Sequence, residues 1–374
     1  MSTKSGDRES IAEKTISDEA PADNTAPARF YVVDVGTGNA AFVVAPSGEV
    51  MLLDAGPGRA AKRILAFMQQ NGIAKIDYLV VSHFEEDHMG AAPIVAEKFP
   101  VGHFVDHGES VVYGKGDDWW KQRRGFWFRE GMGKEYDQRY DIYRAARGEA
   151  RHIAVKPGDR LPIRGLDVAV VCGGGKVLAE PLEGAGAPNP ACAGVDRRAE
   201  DDAEDGQSVG VMARHGKFRF IYLGDLTWNA ANALFCPRNL IGSVDAYIVT
   251  HHAYGFPPNF GEYYYGLSSC PPAEVYGLRP RAAILSLGAL GHKNGTADAM
   301  KLLHGVPGLD LWQTEFIREG GESGHNGPEP FIANLGEKSD KVPYIELAAG
   351  ADGSFAVTNS RNGFTKRYPP RPEP

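Results

Sequence analysis

The chain has 374 residues, of which 43% are hydrophobic, and this is enough for one large domain or two modest ones with a substantial core. Its formal net charge of −8 argues against a protein whose whole surface binds nucleic acid, although a local basic channel is compatible with that charge. The four cysteines form no C-x-x-C pair, so a structural zinc ribbon is not indicated, and no disulfide framework is required at this length.

The two ends of the chain differ in composition from the middle. Residues 1–28 are polar, rich in Ser, Asp, Glu, Ala and Pro, and lack the apolar stretch of a secretory signal, which predicts a disordered tail. Residues 361–374 are rich in Pro and Arg and predict a second tail, so the folded domain is expected over residues 29–360. No apolar segment is long enough to span a bilayer. We therefore expect a cytoplasmic protein without a transmembrane segment.

Short apolar runs joined by glycine turns open the domain. Strands are predicted over residues 30–35, 41–44 and 50–53, and the turns between them favour an antiparallel meander. Apolar residues at helical spacing predict a helix over residues 59–70. The same criteria predict further elements, which are strands at 78–81, 101–105, 161–171, 209–224, 244–250, 281–287, 311–314 and 355–358 and helices at 91–98 and near 298–303. Strands interleaved with helices indicate an α/β sandwich.

Residues 109–150 differ from the rest of the domain, because aromatic side chains alternate there with Arg and Lys. We interpret this segment as a partly helical insert. The favoured interpretation is a lid whose tryptophans pack on the domain and part of which faces the substrate. The alternatives are a surface that stacks bases and holds phosphates, or one that meets a lipid headgroup.

The stretch that follows the predicted strand 78–81 carries an unusual density of metal-binding groups. His83, Glu85, Asp87 and His88 fall within six residues. Two imidazoles and two carboxylates suit a divalent ion, with the oxygens favouring manganese, iron or magnesium and the nitrogens favouring zinc. A solvated acidic loop is the alternative, and it is disfavoured because matching groups recur downstream.

Four candidate residues each follow an apolar run. Asp54, His83, Asp225 and His252 come after the runs that end at Leu53, Val81, Gly224 and Thr250. Strand ends are rigid platforms at the edge of a sheet. The sequence therefore predicts that these groups lie at one edge, where adjoining loops supply substrate contacts.

The order of these motifs resembles the metallo-β-lactamase superfamily over roughly residues 29–345. Several segments are similar to its competence-protein, ComEC-like, branch. They are D-V-G-T-G-N-A at 34–40, L-D-A-G at 53–56, S-H-F-E-E-D-H-M-G at 82–90, G-Q-S-V at 206–209, G-D at 224–225 and H-H-A at 251–253. The combination is far more specific than any single motif.

This resemblance implies an αββα four-layer sandwich with a metal site at the loop edge of its sheets. It implies that Asp87, His88 and His252 form one metal position and that His83 and Glu85 form the other. Asp225 would bridge the two positions, and Asp54 would hydrogen-bond the ligand histidines. The nucleophile would be a metal-activated water, which Asp87 would orient or deprotonate.

The chain departs from the superfamily pattern at two points. Glu85 stands where histidine is usual, and the loop before Gly224 lacks the usual histidine. The corresponding metal position is poorer in nitrogen, so it would prefer manganese, bind weakly or stay empty. Asp205 is a candidate replacement for the missing ligand, although a solvated loop carboxylate is the favoured interpretation.

The remaining histidines receive less weight. Of the His251-His252 pair, we favour His252 as the ligand and His251 as a group on the substrate side. We interpret His107 as structural, with a minor candidacy for the rim of the site. His292 lies near a loop that borders the site in the superfamily.

The sequence thus predicts a hydrolase that depends on one or two divalent ions, zinc or manganese. We expect a phosphoester substrate, with nucleic acid possible. One alternative is another ester class, such as a choline-phosphate ester or a lactone. The other is a non-catalytic sensor or scaffold with a degraded metal site, which Glu85 and the missing histidine motivate.

Overall fold

A computed structural model describes residues 26–124, 128–148, 151–255, 267–287, 295–318, 325–336 and 339–372. Its strands are β1 (Ala28–Val33), β2 (Ala41–Val44), β3 (Val50–Leu53), β4 (Ile76–Val80), β5 (Val101–Asp106), β6 (His152–Ala154), β7 (Arg160–Leu161), β8 (Asp167–Gly173), β9 (Lys176–Val177), β10 (Gly210–His215), β11 (Phe218–Tyr222), β12 (Ala246–Ile248), β13 (Ala282–Leu285), β14 (Asp310–Gln313), β15 (Tyr344–Ala349), β16 (Phe355–Asn359) and β17 (Thr365–Tyr368). Its helices are α1 (Ala61–Gln70), α2 (Glu86–Met89), α3 (Ala92–Lys98), α4 (Gly116–Arg124), α5 (Met132–Arg147), α6 (Trp228–Phe235), α7 (Pro272–Leu278) and α8 (Ala297–His304).

The strands form two large mixed sheets. In the first sheet the order is β17-β16-β15-β1-β2-β3-β4-β5-β6, and in the second it is β14-β13-β12-β11-β10-β8-β7, with β9 beside β8. The β1–β2–β3 meander is antiparallel, as expected from its glycine turns. Beyond it, β3, β4 and β5 run parallel to one another, as do β11, β12, β13 and β14. Parallel strands bring their carboxyl ends to one edge of each sheet.

Three hydrophobic clusters define four layers. Side chains of both sheets, among them Phe30, Val80, Phe220 and Ile284, meet in a central cluster. The outer face of the first sheet packs against α1, α3 and α5, and the outer face of the second packs against α6, α7 and α8. This helix–sheet–sheet–helix arrangement is the αββα sandwich expected from the sequence, and its α/β class is confirmed.

Two predicted strands are each divided in the structure. The segment 161–171 contains the end of β7, a turn at Gly165 and most of β8, and 209–224 is the β10–β11 hairpin with its turn at Gly216. Gly216 has φ +56°, and a Cβ there would approach the backbone oxygen of Ala351 to 2.2 Å, so glycine is required at this turn.

The carboxyl-terminal boundary needs correction. Strand β17 falls inside the predicted 361–374 tail and pairs with β16, and its Tyr368 is buried. The ordered sheet therefore continues past residue 360. At the other end, β1 starts at Ala28, while residues 1–25 of the predicted first tail lie outside the described residues.

The insert forms most of one outer helical layer. In α4 and α5 the rings of Trp120, Tyr136, Tyr140 and Tyr143 are buried against the first sheet. Asp106, at the end of β5, accepts hydrogen bonds from the Tyr143 hydroxyl and from Arg147, both at 2.8 Å. These four rings are therefore unavailable for stacking bases, and the role of the insert as a lid stays a prediction.

Cys192 and Cys236 form a disulfide that ties a 3₁₀ turn, Pro190–Cys192, to the end of α6. The two cysteines are 44 residues apart, and nothing in their spacing indicated the pair. Disulfides persist in oxidising compartments, so the cytoplasmic location stays a prediction. Within the described ranges, every helix is too short or too polar to span a bilayer.

Candidate metal centre

The predicted metal-binding groups lie together where the two sheets open toward their loops. Asp54 directly follows β3, His83 follows β4, Asp225 follows β11, and His252 lies in a 3₁₀ turn after β12. The carboxyl ends of these parallel strands meet at one edge, which brings groups as far apart in sequence as Asp87 and His252 close together.

Among the described residues, three overlapping sets of three could each hold a metal ion, with ligand atoms within 4.8 Å of one another, and two of these sets share no residue. We call Asp87, His88 and His252 the His88 cluster, and His83, Glu85 and Asp205 the Glu85 cluster. Asp225 lies between them, since it also groups with His83 and His88. Its Oδ2 is 3.2 Å from Nε2 of His88 and 3.8 Å from Nε2 of His252.

Asp54 contacts Nδ1 of His88, the ring nitrogen opposite the one that faces Asp225. Its Oδ2 lies 2.6 Å from Nδ1 of His88 and also accepts a hydrogen bond from the Tyr222 hydroxyl. The Ser82 amide and hydroxyl donate to its two oxygens at 2.7 and 2.8 Å. Both Asp54 and His88 are fully buried. A carboxylate on Nδ1 fixes the ring and directs Nε2 toward Asp225, which is the usual support of a ligand histidine.

The His251-His252 turn has an unusual backbone. His251, His252 and Ala253 have φ values of 49°, 52° and 57°, in the left-handed region that non-glycine residues rarely occupy. Nδ1 of His252 donates to the backbone oxygen of Ser286 at 2.7 Å, which fixes its tautomer. The His251 amide donates to the backbone oxygen of Gly224 at 3.1 Å, so the turn is joined to the Gly-Asp loop. Tertiary contacts therefore hold both imidazoles against Asp225.

A buried carboxyl group, that of Glu274, supports the His251-His252 turn through hydrogen bonds to the residues that precede it. Oε1 of Glu274 in α7 accepts hydrogen bonds from the Tyr247 hydroxyl at 2.5 Å and from the Thr250 hydroxyl at 2.6 Å. The Tyr247 hydroxyl in turn accepts from the Thr250 amide at 2.9 Å. Burial raises the pKa of Glu274 to about 7.

The Glu85 cluster is supported differently. Nδ1 of His83 faces neutral hydroxyls, those of Ser82 at 2.9 Å and Ser208 at 3.4 Å. Oε1 of Glu85 accepts a hydrogen bond from the Arg124 guanidinium at 2.6 Å, and this arginine is the last residue of α4. The insert thus reaches the Glu85 cluster through the charged side chain of Arg124.

Asp205 is buried, with 5% of its surface exposed, and its Oδ1 lies 3.6 Å from Nε2 of His83. The expectation of a solvated loop carboxylate is therefore wrong. The neighbouring Glu204 anchors the loop, since it accepts from the Phe84 amide at 3.2 Å, and its Oε2 lies 3.1 Å from Nε2 of His107. The side chain of His107 is thus buried beside Glu204, and its structural role stays an interpretation.

The D-V-G-T-G-N-A loop packs against the loop edge of the His88 cluster. Gly38 has φ +118°, and a Cβ there would lie 2.2 Å from the backbone oxygen of Asp87. The Asn39 amide donates to the same oxygen at 3.2 Å, and the Ser286 hydroxyl donates to the Gly38 oxygen at 2.8 Å. This loop therefore joins the Asp87 backbone to the end of β13.

Carboxylates and imidazoles in and beside the His88 cluster stabilise each other's charged forms. Burial opposes ionisation of Asp225, but the adjacent His88, His251 and His252 outweigh it and hold the pKa of Asp225 well below its usual range. Burial also opposes protonation of His88, yet Asp225 and Asp54 raise the pKa of His88 well above its usual range.

The Glu85 cluster has the opposite balance. Burial lowers the pKa of His83 to about 4 and raises that of Asp205 well above its usual range, where Glu85 and Asp201 add repulsion. Burial also raises the pKa of Glu85, and Arg124 opposes that rise. This region therefore concentrates carboxyl groups that lack sufficient positive charge.

The residues present fit a divalent ion. Nε2 of His83, His88 and His252 are buried, and none makes a well-aligned hydrogen bond with a described residue. These nitrogens converge on the carboxylates of Asp205 and Asp225, and their Nδ1 atoms are already occupied. Unpartnered buried imidazole nitrogens beside carboxylates are the donor set of zinc and manganese sites.

Sequence reasoning missed several residues that position this site. Ser82 and Ser208 lie within the quoted motifs, so the motifs carried a signal that was not used. Arg124, Glu204 and Glu274 act through contacts distant in sequence, and no local pattern marked them. His292 lies outside the described residues.

Comparison with known proteins finds a superfamily to which part of the chain is similar. Residues 33–190, less than half of the chain, match the family model of the metallo-beta-lactamase superfamily, which is the superfamily that the motifs resemble. The matched segment contains Asp54 and the 82–90 motif and ends before Asp225 and the histidine pair. Members of this superfamily bind one or two metal ions.

Individual relatives are distant. Endoribonuclease ysh1 of Aspergillus fumigatus is 29% identical over 119 residues, which are 30% of this chain and 13% of that protein. The alignment thus spans only a small part of the relative. Among solved structures, CmlA, a diiron beta-hydroxylase from Streptomyces venezuelae, has a TM-score of 0.40 at 14% identity, covering 71% of this chain and 45% of CmlA. A diphosphatase from the PhnP family has a TM-score of 0.38 at 13% identity, covering 76% of this chain and 94% of that chain.

Proposed function

We propose that this chain is a metal-dependent hydrolase of phosphoesters that uses a metal-activated water, with nucleic acid as one candidate substrate. One observation carries the proposal: three buried Nε2 atoms without well-aligned hydrogen-bond partners converge on carboxylates at the loop edge of the sheets. Such a set has no structural use of its own, since each unpartnered buried group costs about 1–3 kcal/mol.

The residues would divide the work as follows. His88, Asp87 and His252 would hold an ion, with Asp225 beside it, and Asp54 would fix the His88 ring. When bound, a divalent ion makes water acidic enough to ionise near neutral pH and stabilises charge on phosphoryl oxygens. Asp87 would orient the attacking water or accept its proton.

His251 would act on the substrate side of the site. Its Nε2 is 3.4 Å from Oδ2 of Asp225, and its Nδ1 is buried without a hydrogen-bond partner among the described residues. Burial lowers the pKa of His251 to about 4, so its imidazole is neutral at pH 7. A neutral imidazole can donate one hydrogen bond to a substrate oxygen.

Three considerations support a phosphoester. Several carboxylates around one centre suit divalent ions that bind phosphoryl oxygens. The competence-type motifs resemble those of ComEC-like hydrolase domains. The short similarity to a protein named as an endoribonuclease makes RNA a substrate worth testing beside single-stranded DNA.

A substrate panel tests the proposal. With manganese or zinc, the full chain should hydrolyse bis(p-nitrophenyl) phosphate or a single-stranded nucleic acid, and a chelator should abolish the activity. Turnover of a lactone or a choline-phosphate ester with none on these phosphodiesters would assign the other ester class. Absence of bound metal after native purification, with none taken up on addition, would favour the non-catalytic scaffold.

A further inference from the structure

A permanent positive charge already occupies part of the candidate metal centre. The guanidinium of Arg124 donates to Oε1 of Glu85 at 2.6 Å, and about a quarter of each side chain is exposed. The guanidinium also lies 5.4 Å from the centre of the Trp120 ring, and that ring is buried. Arginine stays charged at every physiological pH, so this charge cannot be removed by titration.

The position of Arg124 is fixed by the helix that carries it. Asp117, in the first turn of α4, accepts hydrogen bonds from the amides of Gly131 and Gly133 at the start of α5, at 2.6 and 2.8 Å. Arg123 pairs with Asp202 in the loop that carries Asp205. The insert therefore contacts both segments of the Glu85 cluster.

The two clusters differ in the charge available to a cation. Asp87 in the His88 cluster and Asp225 beside it supply two negative charges, which match one divalent ion. In the Glu85 cluster, Arg124 neutralises one of two carboxylates. An ion held by Glu85 at a ligand distance of about 2 Å would lie within roughly 7 Å of the guanidinium, inside a mostly buried site where screening is weak.

We propose that Arg124 takes the place of a second divalent ion. The chain then binds one ion, in the His88 cluster, and Arg124 supplies the second positive charge, which contacts an anionic phosphoryl oxygen of the substrate. The planar guanidinium presents paired N–H donors that match such oxygens. This inference rests on the proposed metal centre and narrows the substrate to anionic esters.

Metal stoichiometry tests the inference without reference to activity. The full chain is stripped with a chelator and titrated with Mn²⁺ or Zn²⁺ by calorimetry. The wild type should bind one ion per chain, whereas Arg124→Gln should bind two, because Glu85 is released. Arg123→Gln is the matched control, since it removes the adjacent arginine of the same helix, and it should bind one ion.

A second variant keeps the test decisive if Arg124→Gln folds poorly. Glu85→Gln should retain one ion with unchanged affinity, because the occupied cluster does not contain Glu85. Two ions in the wild type, with the second lost in Glu85→Gln, would overturn the inference and leave the proposed hydrolase intact. Failure of the wild type to bind any ion would overturn the metal centre and this inference together.

Substrate charge gives an independent readout. With one equivalent of metal, KM of Arg124→Gln for bis(p-nitrophenyl) phosphate should rise about 10-fold, the usual loss for a hydrogen bond to a charged group. Arg123→Gln should keep the wild-type KM. An unchanged KM in Arg124→Gln would contradict a contact between this guanidinium and the phosphoryl group.

Discussion

The two clusters at the sheet edge contain the same number of candidate ligands but are supported differently. In the His88 cluster, Nδ1 of each histidine faces a strong acceptor, which is Asp54 for His88 and the Ser286 backbone oxygen for His252. In the Glu85 cluster, His83 faces hydroxyls, and Glu85 is already paired with Arg124. The comparison indicates that one cluster is pre-organised for a cation and the other is partly neutralised.

The largest expected effect comes from removing the centre of the His88 cluster. His88→Ala deletes the imidazole that contacts both Asp54 and Asp225. Metal binding should be lost, and phosphodiester hydrolysis should fall to the level of the chelated wild type. Elemental analysis and a bis(p-nitrophenyl) phosphate assay measure the two outcomes. A His88→Ala variant that retains metal and activity would show that the centre lies elsewhere.

The next effect is on stability and depends on pH. The folded-state pKa of Glu274, about 7, lies above its ordinary value of 4.5, so ionisation favours unfolding. The stability that the protonated carboxyl contributes is complete below pH 4.5 and is lost as pH rises through 7, a change on the order of 3 kcal/mol. The free energy of unfolding of Glu274→Gln minus that of the wild type should therefore be larger at pH 8 than at pH 4.5.

Urea unfolding in the presence of a chelator measures this difference at the two pH values. The same difference between wild type and variant at both values would show that Glu274 ionises normally in the folded protein. The result bears on the His88 cluster, because Glu274 supports the turn that carries His252.

Asp54→Asn should have a moderate effect confined to the His88 cluster. The asparagine keeps the size of the side chain but weakens the acceptor for Nδ1 of His88, and changes of this kind cost about 10- to 100-fold in metal affinity. Ser208→Ala removes one hydroxyl facing His83 and should cost less. Competition with a metal indicator dye ranks the two variants. A larger loss in Ser208→Ala would reverse the assignment of the better-supported cluster.

The smallest expected effect concerns the loop that packs on Asp87. Gly38→Ala and Gly48→Ala both place alanine at positive φ, but only the Gly38 Cβ would collide with Asp87, while the Gly48 Cβ meets nothing within 4 Å. Gly48→Ala should cost about 1 kcal/mol from backbone strain. Gly38→Ala should cost a further 1–2 kcal/mol or so and lower activity. Equal thermal stability of the two variants would argue against the close packing at Asp87.

Much of the sandwich could be predicted, because a short run of apolar residues indicates a buried strand without knowledge of the rest of the fold. The strands that bring Asp54, His83, Asp225 and His252 to the edge are mostly buried, and their residue types show it. Strand β17, with the sequence T-K-R-Y, exposes three of its four residues and exists because β16 pairs with it. The sequence of β17 by itself does not indicate this pairing.

The candidate site shows the same limit. The 82–90 motif and the histidine pair could be found by spacing alone. The burial of Asp205 could not, because it depends on Glu204 reaching Phe84 and His107 across about 100 residues of chain. The Arg124–Glu85 pair likewise joins an insert to a motif loop. Considered alone, each of these charged residues is equally consistent with a position on the solvated surface.

The placement of β15 has a consequence for synthesis. This strand lies between β1 and β16 and pairs with all six residues of β1. Because a chain emerges from the ribosome amino end first, one edge of β1 has no native partner until residues beyond 349 have been made. The nascent protein must therefore keep an apolar strand edge protected while the residues between β1 and β15 are made, and its first sheet closes only when β15 is available.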